Sequence, residues 1–220
     1  MERSEKNAVV GTDERTESIF DWLHVNSRLV GIAAVVVAVA AAGGWLYTRA
    51  QAGKEMRAAQ TLQRAEQSMG QGNVPLAQTD LEKLISSQRG TAGAAQGALL
   101  LAQVYYDKAE YQKGIDALTK SGAASKEFEA PAEAMIGDGY SQLGKYPDAA
   151  AHYRKAAEVT RFKNDRLSYL ADAARSFTAA KDTSQARQLW QEVIKDENSI
   201  WASEARIRLG ELTARPAAKS

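Results

Sequence analysis

Two histidines and no cysteine leave this chain little to do chemistry with. His24 stands just ahead of an apolar run, and His152 lies between Ala151 and Tyr153 in a helix-like stretch. Neither has an acid and a nucleophile at a spacing that would form a relay, so an imidazole base would have nothing to activate. The missing thiol removes cysteine nucleophiles, disulfides and Cys-based zinc sites. The acidic runs GTDERTE (11–17) and KDEN (195–198) lack the glycine and the alternating ligands of a calcium loop. GDGYSQLG (137–144) follows no strand, so it does not read as a phosphate-binding turn. These residues predict no enzyme, and no catalytic, cofactor-binding or metal-ligating site. With 28 Lys+Arg against 27 Asp+Glu, basic residues mostly beside acidic ones, no field points to nucleic acid.

Binding remains, and the elements that would present a binding surface are repeats. Alanine is abundant, and proline is scarce (four in 220 residues), a helical composition. After residue 55 the chain aligns with itself. The clearest copy, APAEAMIGDGYSQLGKYPDAAAHYRKAAEVTRF (130–162), carries Gly137, Tyr140, Gly144, Tyr146, Ala149, Tyr153 and Ala156. The same skeleton runs through Ala102, Tyr105, Tyr111, Gly114 and Leu118, and again through Ala174, Phe177, Ala186, Trp190 and Val193. A weaker copy has Ala65, Gly72, Ala77, Leu81 and Leu84, and WASEARIRLGELTAR (201–215) supplies a closing half. The first small residue of each copy, at 65, 102, 137, 174 and 210, recurs at spacings of 37, 35, 37 and 36. Such a period marks a solenoid of helical hairpins. Small residues let paired helices approach, and an aromatic between them fills the space beside the next hairpin. GQGNVP, KAEY, LGKYPD and AKDTS read as the turns within each hairpin, with Pro75 and Pro147 in first helical turns.

This skeleton resembles the tetratricopeptide repeat (TPR), with about four and a half copies from roughly 56 to 214. It departs from that pattern where a proline usually closes each repeat: Arg89, Lys126, Arg161 and Asn198 stand there, and loops such as KSGAASKEFEAP (120–131) look longer. The resemblance implies that the first helix of each hairpin lines a concave protein-binding groove, with Leu62, Glu66, Gln96, Gln103, Tyr106, Asp138, Gln142 and Arg175 facing into it. Mixed polar and apolar character there suits extended or partly folded polypeptide.

NSRLVGIAAVVVAVAAAGGWLYTRA (26–50) is unlike the rest. Leu29 to Tyr47 is 19 residues without a charge, between Arg28 and Arg49. That length of helix crosses a hydrocarbon core of about 30 Å. Trp22, Trp45 and Tyr47 stand where interfacial aromatics belong. A cleaved signal is the rival reading, since AVAAAG offers small residues. Its n-region would hold six acids (Glu2, Glu5, Asp13, Glu14, Glu17 and Asp21), and the apolar run continues past the cleavage point. A buried core helix would show a polar stripe, and none is present. The residues predict a single-pass anchor. Four Lys/Arg lie before the span and four just after it, so charge leaves the sidedness open. Gly31, Gly43, Gly44, Ala34, Ala38 and Ala42 give it a face on which a second helix could pack.

The order of parts is similar to the YfgM-like family, ancillary subunits of the SecYEG translocon in bacterial inner membranes. An acidic tail with FDWLHVNSR, an apolar span ending GGWLYTR, divergent TPR-like repeats and a closing W..EARIRLGEL follow one another as in that family. The resemblance implies a cytoplasmic N-terminus and repeats in the periplasm. It also implies partners: Sec translocon components, a membrane-anchored periplasmic prolyl isomerase-like chaperone, and unfolded or emerging polypeptide. The expected organisation is an all-α chain with a tail (1–28, its first 18 residues disordered in composition), a transmembrane helix (29–47), a helical connector (48–57), a TPR-like α-solenoid (58–214) and a short tail (215–220). An adaptor for another envelope process, cell division or outer-membrane assembly, is the alternative.

Overall fold

A computed structural model of the chain describes residues 25–121 and 126–213. Trp22, His24, most of the N-terminal tail and the C-terminal tail lie outside the described residues. The described residues form helices and no strand: α1 (Ser27–Gly70), α2 (Val74–Ser87), α3 (Ala92–Asp107), α4 (Tyr111–Ser121), α5 (Lys126–Gln142), α6 (Tyr146–Val159), α7 (Lys163–Ala179), α8 (Thr183–Val193) and α9 (Ala202–Thr213). Two compact units divide at Gly53 and Lys54, within α1.

In the first unit α1 is long and apolar enough to cross a membrane. From Leu29 to Tyr47 every residue is exposed except half-buried Val30. Val35, Val36, Val37 and Val39 each keep 60% or more of their surface. It is therefore not a buried core helix. Arg49 sets its guanidinium over the Trp45 ring, 5.2 Å from the centroid, at the polar end of the run.

The second unit is built of helical hairpins: the last part of α1 with α2, then α3–α4, α5–α6 and α7–α8, with α9 as the closing half. The repeat is visible in the backbone hydrogen bonds. Each first helix ends in a left-handed residue, Gly72 (φ 77°), Ala109 (58°), Gly144 (71°) or Lys181 (63°). At each, that residue's N–H bonds three residues back and the next N–H five back: Gly72 to Met69 and Asn73 to Ser68, Ala109 to Tyr106 and Glu110 to Tyr105. Gly144 to Ser141 with Lys145 to Tyr140, and Lys181 to Thr178 with Asp182 to Phe177, complete the set. These pairs satisfy carbonyls that a helix end would leave open, and they turn the chain into the second helix. Asn73 and Asp182 then accept the backbone N–H of Leu76 and Gln185, capping α2 and α8. Pro75 and Pro147 occupy the first turns of α2 and α6.

Packing follows the small-residue rule. Ala65, Ala102 and Ala174 have no exposed surface and Gly137 is buried. A side chain added at Gly137 would meet the Tyr153 ring at 2.9 Å, and one at Gly97 would meet Leu84 at 2.7 Å. Gly210, the fifth in the series, has nothing within 4 Å of an added Cβ among the described residues. One expectation is corrected. Most of KSGAASKEFEAP is helix, since α4 runs to Ser121 and α5 starts at Lys126. Glu127 and Glu129 favour that start by lying at the positive end of the α5 dipole.

Candidate functional site

The candidate face is carried by the first helices, α1 from Lys54 on, α3, α5 and α7. Tyr106 near the end of α3 pins three of the helices. Its ring fills the space beside Gly114 of α4 and Gly139 of α5, where an added Cβ would run into it. Its hydroxyl donates to the Met135 carbonyl at 2.8 Å. Burial, with the charge of Asp138 adding, raises the phenol above its ordinary value.

Asp138 is a turn further along α5 and is open to solvent on one side. Its Oδ1 accepts the Tyr153 hydroxyl of α6 at 2.5 Å. The surrounding helices displace water and push the carboxyl up, while the Tyr153 bond opposes that shift. On α7, burial likewise raises Asp172; Arg175 opposes the rise, and the charges of Asp138 and Glu204 add to it. The Tyr169 phenol is raised by burial first, then by Asp165, Asp172 and Asp138. The first helices α5 and α7, with α6 between them in sequence, thus bring two carboxylates and the phenols of Tyr153 and Tyr169 within electrostatic reach of one another.

Arg175 is committed to the fold. It donates to Asp172 at 2.5 Å and, bidentate, to Glu204 of α9 at 2.9 and 2.5 Å. Its guanidinium lies 5.8 Å from the Trp190 ring and 5.2 Å from the Trp201 ring. The Arg175 bonds hold Glu204 below the ordinary carboxylate range. Leu62 is corrected from groove to core: it keeps 7% of its surface and packs with Ala58, Ala65 and Leu81. Its position four residues after Ala58 and three before Ala65 puts it on the buried stripe of α1. Glu66, Gln96 and Gln142 are exposed, and Gln103 donates along its own helix to Asp107 at 2.7 Å. Of the sequence-derived set, the structure brings Tyr106 and Asp138 together and links Arg175 to them through Asp172. Asp172, Tyr153 and Tyr169 were missed. Asp172 stands three residues before Arg175, the residue one repeat on from Asp138, and that i, i+3 pairing of opposite charges was the available signal.

Such a face can accept hydrogen bonds and balance a cation. His152 serves structure: Nδ1 is 2.7 Å from Glu133, and its ring stacks on Tyr140 at 5.2 Å. Burial pushes Glu133 up, but bonds from His152 and Lys155 outweigh it and leave the carboxylate low. Among the described residues no group of three or more His, Cys, Asp or Glu is placed to hold a metal ion.

A family model described as a tetratricopeptide repeat-like domain matches residues 21–127. No curated protein matches the chain. Among solved structures, a Podosopora anserina protein with nearly identical TPR-like repeats is 15% identical, with a TM-score of 0.55, over 71% of this chain and 85% of that one. BtubC (BKLC) from P. vanneervenii is 12% identical, with a TM-score of 0.54, over 74% of this chain and 82% of that one. At those identities the likeness is one of fold: the described residues 54–121 and 126–213 form a TPR-like α-solenoid.

Proposed function

We propose that this chain is a membrane-tethered, non-enzymatic scaffold whose TPR-like repeats hold other proteins. The observation that carries the reading is the pairing of a fully exposed apolar helix with a hairpin array. The array's first-helix face keeps Glu66, Gln96, Asp138 and Gln142 open. Tethering raises the effective concentration of the repeats near the membrane, so weak contacts on that face suffice for capture. In the finer form of the proposal the repeats stand in the periplasm, N-terminus in the cytoplasm. They assist hand-over of newly translocated polypeptide beside the Sec translocon, with a membrane-anchored prolyl isomerase-like chaperone as partner. This form draws on the YfgM-like order of parts.

Two measurements test it. A reporter active only in the periplasm, fused after Ser220, is expected to be active; a silent fusion with an active cytoplasmic reporter reverses the topology. Affinity purification of the full chain in mild detergent is expected to recover Sec or periplasmic chaperone components. Recovery of division or outer-membrane assembly proteins instead would move the scaffold to that process.

A further inference from the structure

A cavity of about 600 Å³ opens away from the first-helix face, between α2 and α4 over α3. Its floor is apolar: Ile85, Leu101 and Ala117 keep 5%, 2% and 7% of their surface. Its rim is charged, and most of those charges are already used. Glu82 accepts the Tyr105 hydroxyl at 2.7 Å and the Gln78 amide at 3.0 Å. Lys113 pairs with Glu110 at 2.9 Å and lies over the Tyr105 ring. Asp116 takes the Gln112 amide at 3.0 Å. Arg89 and Lys120 have no partner among the described residues. Glu82 of α2 and Lys113 of α4 both meet Tyr105, and Arg89 and Lys120 each stand two turns on from them along the cavity wall. The two free cations therefore share one end of the cavity. Arg89 also stands where the TPR pattern has its closing proline, so the position has exchanged a turn-former for a charge. An apolar floor with a few convergent polar groups is the usual make-up of a binding pocket.

We propose that this cavity is a second docking site, distinct from the first-helix face. It takes a polypeptide segment that lays an apolar side chain on Ile85, Leu101 and Ala117 and sets a carboxylate against Arg89 and Lys120. Two cations matching one carboxylate give directional, charge-assisted bonds, and the floor supplies the area. The carboxylate is the side chain of an Asp or Glu adjacent to that apolar residue.

The test uses the full chain in detergent micelles and three fluorescein-labelled probes, read by anisotropy. These are Gly-Ser-Gly-Ser-Gly-Leu with a free carboxylate, the same peptide as its amide, and Gly-Ser-Gly-Ser-Asp-Leu amide. Gly-Ser-Gly-Ser-Asp-Leu amide is expected to bind roughly tenfold tighter than the neutral amide, as loss of a charged hydrogen bond predicts. A preference for the free-carboxylate peptide over Gly-Ser-Gly-Ser-Asp-Leu amide overturns the assignment to an acidic side chain. R89E/K120E, two exposed substitutions, should erase that preference and bind Gly-Ser-Gly-Ser-Lys-Leu amide instead. R154E, an exposed charge reversal on α6 away from the cavity, should leave all three affinities unchanged. Equal binding of acidic and neutral probes, or no binding, overturns the proposal. So does an R89E/K120E variant of unchanged preference and unchanged helicity, or an R154E variant that loses binding.

Discussion

In α1–α4 the buried side chains are mostly aliphatic: Leu62, Leu81, Leu84, Ile85, Leu101 and Ile115 pack among alanines, with Tyr105 beside them. In α6–α9 the same hairpin geometry closes around Trp190 and Tyr153, with Tyr169, Phe177 and Trp201 packed against them. Charges cross between elements there as well. Arg175 bridges to Glu204, Arg166 to Glu192 at 2.5 Å, and Lys163 to Asp196 at 2.6 Å. The first half depends on close approach. Gly93 lies against Ala58 and Gly97 against Leu84 with no room for a Cβ. The second depends on large fillers and on ion pairs. One backbone repeat thus accepts two packing chemistries, which differ in vulnerability: bulk harms the first, and truncation and salt harm the second. In an array whose hairpins touch only their neighbours, either kind of damage stays local.

The largest effect should come from removing the filler of the second half. Trp190 has no exposed surface, so Trp190→Ala is expected to cost about 4 kcal/mol. Hydrogen exchange should show α7–α9 losing protection while α1–α4 keep theirs. Uniform loss would mean that the two halves unfold as one. Trp190→Phe should cost much less. It keeps a ring and removes an indole N–H that has no partner where it is buried.

Next in size is a change at the seam between the halves. Gly139 lets the Tyr106 hydroxyl and Ile115 lie against α5. Gly139→Val should cost about 2–3 kcal/mol by overpacking, in denaturant unfolding. Gly210→Val, one repeat-type position with nothing near it, should be close to neutral apart from helix propensity. Equal costs at the two sites would remove close approach as the reason for glycine.

Arg175→Met tests the ionic side. It leaves Asp172 and Glu204 without their cation and removes a guanidinium from two indole faces. The groups are about one-third exposed, so solvent screening limits the cost to about 1–2 kcal/mol. The wild type should lose stability with added salt more than Arg175→Met does, and a Leu101→Ala variant should retain the wild-type salt response.

The hairpin array was legible because its period rests on small residues and aromatics whose job is steric, and such positions admit few alternatives. Turns were legible for the same reason at Gly72 and Gly144. At Ala109 and Lys181 the left-handed turn holds without glycine, and only the repeat spacing points to it. The binding face was less legible. Whether a polar side chain on a first helix faces out or joins a network depends on residues a full repeat away. Arg175 looks free until Glu204, 29 residues on, closes on it. Leu62 differs from its polar neighbours by one helical position, and sequence alone does not fix the rotation of α1. The start of α5 was hidden because Pro131 reads as a breaker, yet it lies within the helix.

The smallest effect has the opposite sign and bears on the face proposed to bind. Asp138 and Asp172 both have raised carboxyl pKa values, chiefly from burial. An acid whose pKa rises on folding holds its proton more tightly folded than unfolded. Its contribution therefore falls as pH climbs through the shifted value, and neutral pH bears the full penalty. Asp138→Asn keeps an oxygen that can accept the Tyr153 hydroxyl, removes the partly desolvated charge and relieves Asp172. It should raise the melting temperature by about 1–2 °C at pH 7, on the scale of half a kcal/mol in a domain of this size. That gain should shrink on acidification and vanish below the ordinary aspartate range, where the wild type is protonated too. A loss of stability at pH 7 would show that the Tyr153 bond needs the charge, and would assign Asp138 to holding the fold. A gain coupled to weaker polypeptide capture would mark a carboxylate kept at a cost to stability, for binding.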